Sequence, residues 1–199
     1  FKACYYSYIM KNKREENIWN IPNTLTFSRF IITFIIIYCI FAQVNIVIIA
    51  SLFAIGMITD FLDGQIARRF NRTTEFGRKF DMIADRFLMI GVALAFIIEF
   101  SLQGILTRSE ILQIFIIMTR EIITFPFAII VMTAGRGLPK ARFIGKLTTF
   151  MQGVTFPLII LNVYSDIFKF SFYLSIITGI IGIISAFIYI KDMQKIGVK

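Results

Sequence analysis

The sequence predicts an all-α, polytopic membrane protein, with six transmembrane helices behind a short N-terminal interfacial amphipathic helix. Three observations predict it. Of 199 residues, 57% are hydrophobic and the mean hydropathy is +0.78, whereas a soluble domain holds about 45–50% apolar residues. The apolar residues fall into six runs, each near the roughly 20 residues that a spanning helix needs. Lysine and arginine gather on every second connection between those runs, the asymmetry that sets membrane orientation. Six spans and short connections use the whole length. The chain therefore divides into residues 1–20, the interfacial helix, and residues 21–199, one six-helix membrane domain.

Each element has its own signal. Residues 1–20 mix Tyr5, Tyr6 and Tyr8 with Lys11, Lys13, Arg14, Glu15 and Glu16, and Trp19 stands where an aromatic anchor sits at headgroup level. Ile21-Pro22-Asn23-Thr24 breaks the chain, with Asn23 or Thr24 as a cap. The first span then covers about 24–42. Gln43 to Asn45 form a turn. The second span starts near Val44 and runs through Asp60, Asp63 and Arg68; Asn71 to Glu75 are polar and turn-like. The third span runs from near Phe76 to near Phe100 and carries Asp81 and Asp85 in its first turns. A loop from Gly104 to Ser109 precedes the fourth span, about 110–133, with its Arg120-Glu121 pair. A basic, breaker-rich loop, Ala134 to Arg142, leads to the fifth span, about 143–163, with Pro157 as a kink. The sixth span, about 171–190, is almost all Ile and Phe, and Lys191, Lys195 and Lys199 follow it.

The net charge of +9 would point a soluble protein toward nucleic acid. Here the cations sit at span ends, so topology and anionic lipid account for them and no nucleic-acid partner is expected. One side receives the N-terminal segment, the Arg68–Lys79 loop, the Arg136–Lys146 loop and the C-terminal tail; the other receives Arg108 and Lys169. That division puts both termini and the acidic stretch on the cytoplasmic side of a multi-pass cell-membrane protein. Cys4 and Cys39 have no metal-type spacing, and histidine is absent. Any general base is therefore a carboxylate, Lys, Tyr or Cys.

The chemistry concentrates between Asp60 and Asp85. Asp60 and Asp63 are spaced i,i+3, and Asp81 and Asp85 i,i+4, so each pair shares one helix face. An aspartate at membrane depth costs about 2.5–3.5 kcal/mol, and four cost on the order of 10 kcal/mol if all sit deep. Facing carboxylates repel unless a cation lies among them; Arg68, Arg78 and Arg86 supply part of that compensation. An all-oxygen set with no His or Cys favours a hard divalent ion, Mg²⁺ first and Mn²⁺ or Ca²⁺ next. Gly64, Ala67 and Gly77 present faces without bulk, suited to a phosphorylated ligand or to close helix packing. Arg68 can grip phosphate bidentately. A bare salt-bridge network would need no small residues at set places.

Asp60-x2-Asp63-Gly64-x2-Ala67-Arg68-x8-Gly77-x3-Asp81-x3-Asp85 resembles the complete signature of the CDP-alcohol phosphotransferase family, with all eight fixed positions matched. The resemblance implies an integral-membrane homodimer that moves a substituted phosphoryl group from a CDP-linked donor, usually CDP-diacylglycerol, to an alcohol, releasing CMP. It implies Mg²⁺ or Mn²⁺ held by Asp60, Asp63, Asp81 and Asp85, with Asp85 also the base that takes the acceptor proton. It assigns Asp63, Gly64, Ala67, Arg68 and Gly77 to the CDP pocket, with Asn23 and Thr26 beside them. Ile21 to Thr26 with Arg29, the Arg120-Glu121 pair, and Gly145-Lys146-x2-Thr149-x2-Gln152 resemble the phosphatidylglycerophosphate synthase branch, whose acceptor is glycerol 3-phosphate. Arg120, Arg136, Lys140, Arg142 and Lys146 are then candidates for the acceptor phosphate. That branch commonly carries Pro and Lys where this chain has Met82 and Arg86, which keeps inositol phosphate, phosphatidylglycerol (the cardiolipin-synthase branch) and an archaeal lipid donor open. A transporter using intramembrane acids, a membrane prenyltransferase and a non-catalytic scaffold are the rival classes. A transporter does not account for Gly64, Ala67, Arg68 and Gly77 at set intervals; a prenyltransferase has different aspartate motifs and a many-helix fold that needs a longer chain; a scaffold has no use for the desolvation cost of four acids.

Overall fold

The computed structural model describes residues 21–69, 75–133, 143–163 and 170–197; within its helices, side chains are described for 26–57, 80, 82–130, 133, 143–162 and 171–194. Six helices make up these residues: α1 (Ile21–Phe41), α2 (Ile46–Arg69), α3 (Glu75–Leu102), α4 (Arg108–Thr133), α5 (Phe143–Asn162) and α6 (Ser171–Gly197). The expected interfacial helix falls on residues 1–20, outside the described part. Within α4, α5 and α6, the stretches Arg108–Ile130, Phe143–Asn162 and Ser171–Gln194 are long and apolar enough to cross a membrane. Shorter apolar stretches, Thr26–Phe41 and Ile46–Met57, lie on α1 and α2.

Two boundaries differ from expectation. Residues Ile21 to Thr24 do not precede the first helix; they form its first turn. A proline is tolerated there because the N–H it lacks would have no intrahelical partner. At the other end, α6 runs on to Gly197 instead of stopping near residue 190. Lys191, Asp192 and Gln194 are ordinary helix formers, and no glycine or proline intervenes before Gly197. Pro157 lies inside α5, and Pro126, which the sequence reading passed over, lies inside α4.

The connections between helices are built by local chemistry. Gln43 takes a left-handed conformation, φ 53°, and its amide donates to Glu99 Oε1 at 3.1 Å, tying the α1–α2 turn to the far end of α3. Asn45 caps α2, its Oδ1 accepting from the Val47 N–H at 2.9 Å. Glu110 reaches back to Thr107 at the start of α4: its Oε2 accepts from the Thr107 N–H at 2.8 Å and from the Thr107 hydroxyl at 2.9 Å.

The helices pack as two groups. α1 lies against α2 and α3, and α6 against α4 and α5; α2–α5 and α3–α4 contacts join the groups. Phe156 of α5 is central to the join, with its ring 4.8 Å from Phe53 of α2 and 6.2 Å from Phe96 of α3. Polar residues also point inward: Thr155 of α5 and Thr178 of α6 share a hydrogen bond of 3.0 Å. Large apolar side chains point outward instead. Phe27, Ile31, Phe34 and Tyr38 form an exposed stripe on α1, and Tyr173, Ile177, Ile180, Ile184 and Phe187 form one on α6. Water would penalise that much exposed apolar surface, and lipid does not. The molecule is a membrane protein.

Candidate active site

All four predicted aspartates lie on helix. Asp60 and Asp63 are in the last turns of α2, together with Gly64, Ala67 and Arg68. Asp81, Asp85 and Gly77 are in the first turns of α3. The i,i+3 and i,i+4 spacings are therefore helical, and the pairs lie about 4.5 and about 6 Å apart along their own helix axes. The side chains of Asp60, Asp63, Ala67, Arg68 and Asp81 lie outside the described residues, and so do the surroundings of Gly64 and Gly77. Asp85 is described and half-buried. Its donor type, a carboxylate in a chain without histidine, fits a hard divalent ion. Asn23 lies in the first turn of α1; Thr26, one turn on, is buried, as is Arg29.

The acceptor candidates divide. Arg136, Lys140 and Arg142 lie outside the described residues. Lys146 is exposed on the first turn of α5. Arg120 is mostly buried, its side chain 18% exposed. Its Nη1 donates to Thr149 Oγ1 of α5 at 2.9 Å and to Glu121 Oε1 at 3.4 Å. Its Nη2 lies beside Gly145, 3.6 Å from where a Cβ would stand. Gly182 of α6 accommodates the Arg120 Cβ, which would sit 3.5 Å from a Cβ at that glycine.

Glu121 is buried and held by Gln152 of α5, whose amide donates both to Glu121 Oε2 and to the Ile117 carbonyl. So the Gly145, Thr149 and Gln152 positions, noted in the sequence for their spacing, form one face of α5 turned to the Arg120-Glu121 pair. Glu121 is within electrostatic reach of Asp85, which puts that carboxylate near this polar cluster.

Sequence reasoning missed Thr124 and Tyr189. Arg86, expected to compensate the acids, is buried, and the side chains of Asp60, Asp63 and Asp81 that would pair with it lie outside the described residues. Its Nη1 donates to the Met82 carbonyl and its Nη2 to Thr124 Oγ1 of α4, each at 3.3 Å. The Tyr189 hydroxyl of α6 lies in polar contact with Arg86, also within electrostatic reach of Arg120, and donates to Met82 Sδ at 3.8 Å. The available signal was Arg86 itself, an arginine at a depth where one is costly and needs partners.

The model of the CDP-alcohol phosphatidyltransferase family matches residues 19–189. The chain belongs to that family. Among its relatives in this family, a Rickettsia felis protein named CDP-diacylglycerol–glycerol-3-phosphate 3-phosphatidyltransferase is 30% identical, the match covering 80% of this chain and 91% of that protein. The Rickettsia typhi protein of the same name is 31% identical, over 80% of this chain and 93% of its own. A Drosophila melanogaster protein named probable cardiolipin synthase (CMP-forming) is 45% identical over a shorter stretch, 39% of this chain and 24% of that protein.

Proposed function

We propose that this CDP-alcohol phosphatidyltransferase family member transfers the phosphatidyl group of CDP-diacylglycerol to the hydroxyl of glycerol 3-phosphate. The lipid product is phosphatidylglycerophosphate and the leaving group is CMP. Relatives bearing that activity in their names align over four-fifths of the chain. The observation that carries the phosphorylated acceptor is Arg120. An arginine inside an apolar helix is costly and ordinarily functional. Here it is directed by Thr149 and Glu121 toward the first turn of α5, beside Gly145. The first N–H groups of a helix lack internal partners and favour an anion. Arg120, that turn and Lys146 together suit a phosphomonoester, with Arg136, Lys140 and Arg142 as further cations from the preceding loop.

In this reading Asp63, Gly64, Ala67, Arg68 and Gly77, with Asn23 and Thr26, receive the CDP moiety. Asp60, Asp63, Asp81 and Asp85 would hold one or two divalent ions, Mg²⁺ or Mn²⁺, which neutralise charge on the pyrophosphate. Asp85 takes the proton of the acceptor hydroxyl. The hydroxyl oxygen bonds to the phosphatidyl phosphorus, and the bond from that phosphorus to CMP breaks with its electron pair leaving on CMP. The basic connections support six spans with both termini and the site on the cytoplasmic side. A homodimer is the proposed assembly.

A panel of acceptors tests the assignment. Purified protein with CDP-diacylglycerol should release CMP in the presence of glycerol 3-phosphate, and not with inositol, serine or inositol phosphate. Release driven by phosphatidylglycerol instead would move the chain to the cardiolipin-synthase reaction named for the Drosophila relative.

A further inference from the structure

Arg86 is 7% exposed, and its hydrogen bonds to described residues go to a carbonyl on its own helix and to the Thr124 hydroxyl, with the Tyr189 hydroxyl close by. Its Nε has no hydrogen-bond partner among the described residues. Neutral hydrogen bonds such as these do not by themselves offset the desolvation of a buried guanidinium. Its location offers a different role. Among the described residues, Arg86–Thr124 is the side-chain hydrogen bond that joins α3 to α4, and Tyr189–Met82 joins α3 to α6 one turn earlier. Both joints flank Asp85, the residue next to Arg86. Successive residues lie 100° apart around a helix, so a rotation of α3 that follows loss of the joint also swings Asp85. With side chains reaching 5–6 Å from the axis, about 10° of rotation moves a carboxylate by about 1 Å. A displacement of that size can cost on the order of 100-fold in rate.

We propose that Arg86 is a positioning residue: with Thr124 and Tyr189 it sets the rotation of α3 against α4 and α6, and so aims Asp85 at the acceptor hydroxyl. The inference rests on the phosphatidyl-transfer reading given above. Its planar fork serves the Met82 carbonyl of α3 and the Thr124 hydroxyl of α4 at once, in a fixed geometry that the ammonium of a lysine lacks.

The test measures kcat, both KM values and thermal stability for the wild type and for Arg86→Gln, Arg86→Lys and Thr124→Val. Gln43→Ala, which loosens the opposite end of α3, serves as the control. Arg86→Gln should lower kcat about 10- to 100-fold, leaving both KM values within about threefold. Arg86→Lys should recover part of that loss, and Thr124→Val should show a smaller loss of the same kind. Gln43→Ala should lower Tm at least as much as Arg86→Gln and keep kcat. Unchanged kcat in Arg86→Gln or in Thr124→Val overturns the proposal. So does a rise in acceptor KM at constant kcat, which would make Arg86 a substrate ligand. A kcat loss in Gln43→Ala matching that of Arg86→Gln would reduce Arg86 to a structural strut. A wild type that releases no CMP would overturn the underlying reading as well; an active wild type with a fully active Arg86→Gln overturns this inference alone.

Discussion

At the scale of single residues, Arg120 and Arg86 stand one helix apart and are held differently. Arg120 has a carboxylate neighbour in Glu121 and directs Nη2 toward the start of α5. Arg86 donates to a carbonyl and a hydroxyl, with a second hydroxyl close by. On the proposed reading, Arg120 is then available to substrate and Arg86 holds the helix. Arg120→Ala should therefore raise KM for glycerol 3-phosphate by about 10- to 100-fold, the loss of one charged hydrogen bond of roughly 1.5–3 kcal/mol. KM for CDP-diacylglycerol should change little; steady-state kinetics with each substrate varied in turn checks both. The aspartates were legible in the sequence because their number and spacing have no packing explanation. The role of Arg86 was not legible, because its partners Thr124 and Tyr189 lie 38 and 103 positions away and only the fold brings them together.

At the scale of elements, the crossing of α4 and α6 fixes where Arg120 stands. A Cβ on Gly179 would clash with Ile116 Cγ2 and lie 3.2 Å from the Ile116 carbonyl oxygen. Ile116 is one turn from Arg120 on α4, so the glycine allows the two backbones to approach beside the polar cluster. Gly179→Ala should destabilise the protein by about 1–3 kcal/mol through overpacking, read as a lower Tm in detergent. Gly91→Ala, whose added methyl would meet only Ile37 Cδ1 at 3.5 Å and Thr33 Cγ2 at 3.9 Å, should leave Tm nearly unchanged. The helices themselves were well marked in the sequence by apolar runs and by breakers at Gln43–Asn45 and at Gly104. Their ends were less so. Helix propensity carries α6 to Gly197 past its apolar stretch, and Pro22 starts α1 instead of breaking the chain.

At the scale of the whole molecule, the proposed orientation rests on charge. Leu102 at the end of α3 and Phe143 at the start of α5 are both exposed and belong to opposite sides in a six-span arrangement. In a background with Cys4 and Cys39 replaced by Ser, Leu102→Cys should react with a membrane-impermeant thiol reagent applied outside the cell. Phe143→Cys should react only after the membrane is opened, and labelling of both from one side would contradict the arrangement. The membrane class was legible from composition, but the pairing of helices was not. Nothing in the order of the runs says that α1 lies against α3, or α4 against α6. The α3–α4 contact is what brings Glu121 within electrostatic reach of Asp85.

The most direct measurement is the mass and amount of lipid formed by the purified protein from CDP-diacylglycerol and glycerol 3-phosphate with Mg²⁺. The expected result is phosphatidylglycerophosphate and CMP in equal amounts, with neither formed by Asp85→Asn. A wild type that forms no such lipid, or an Asp85→Asn variant that forms it at the wild-type rate, would contradict the account.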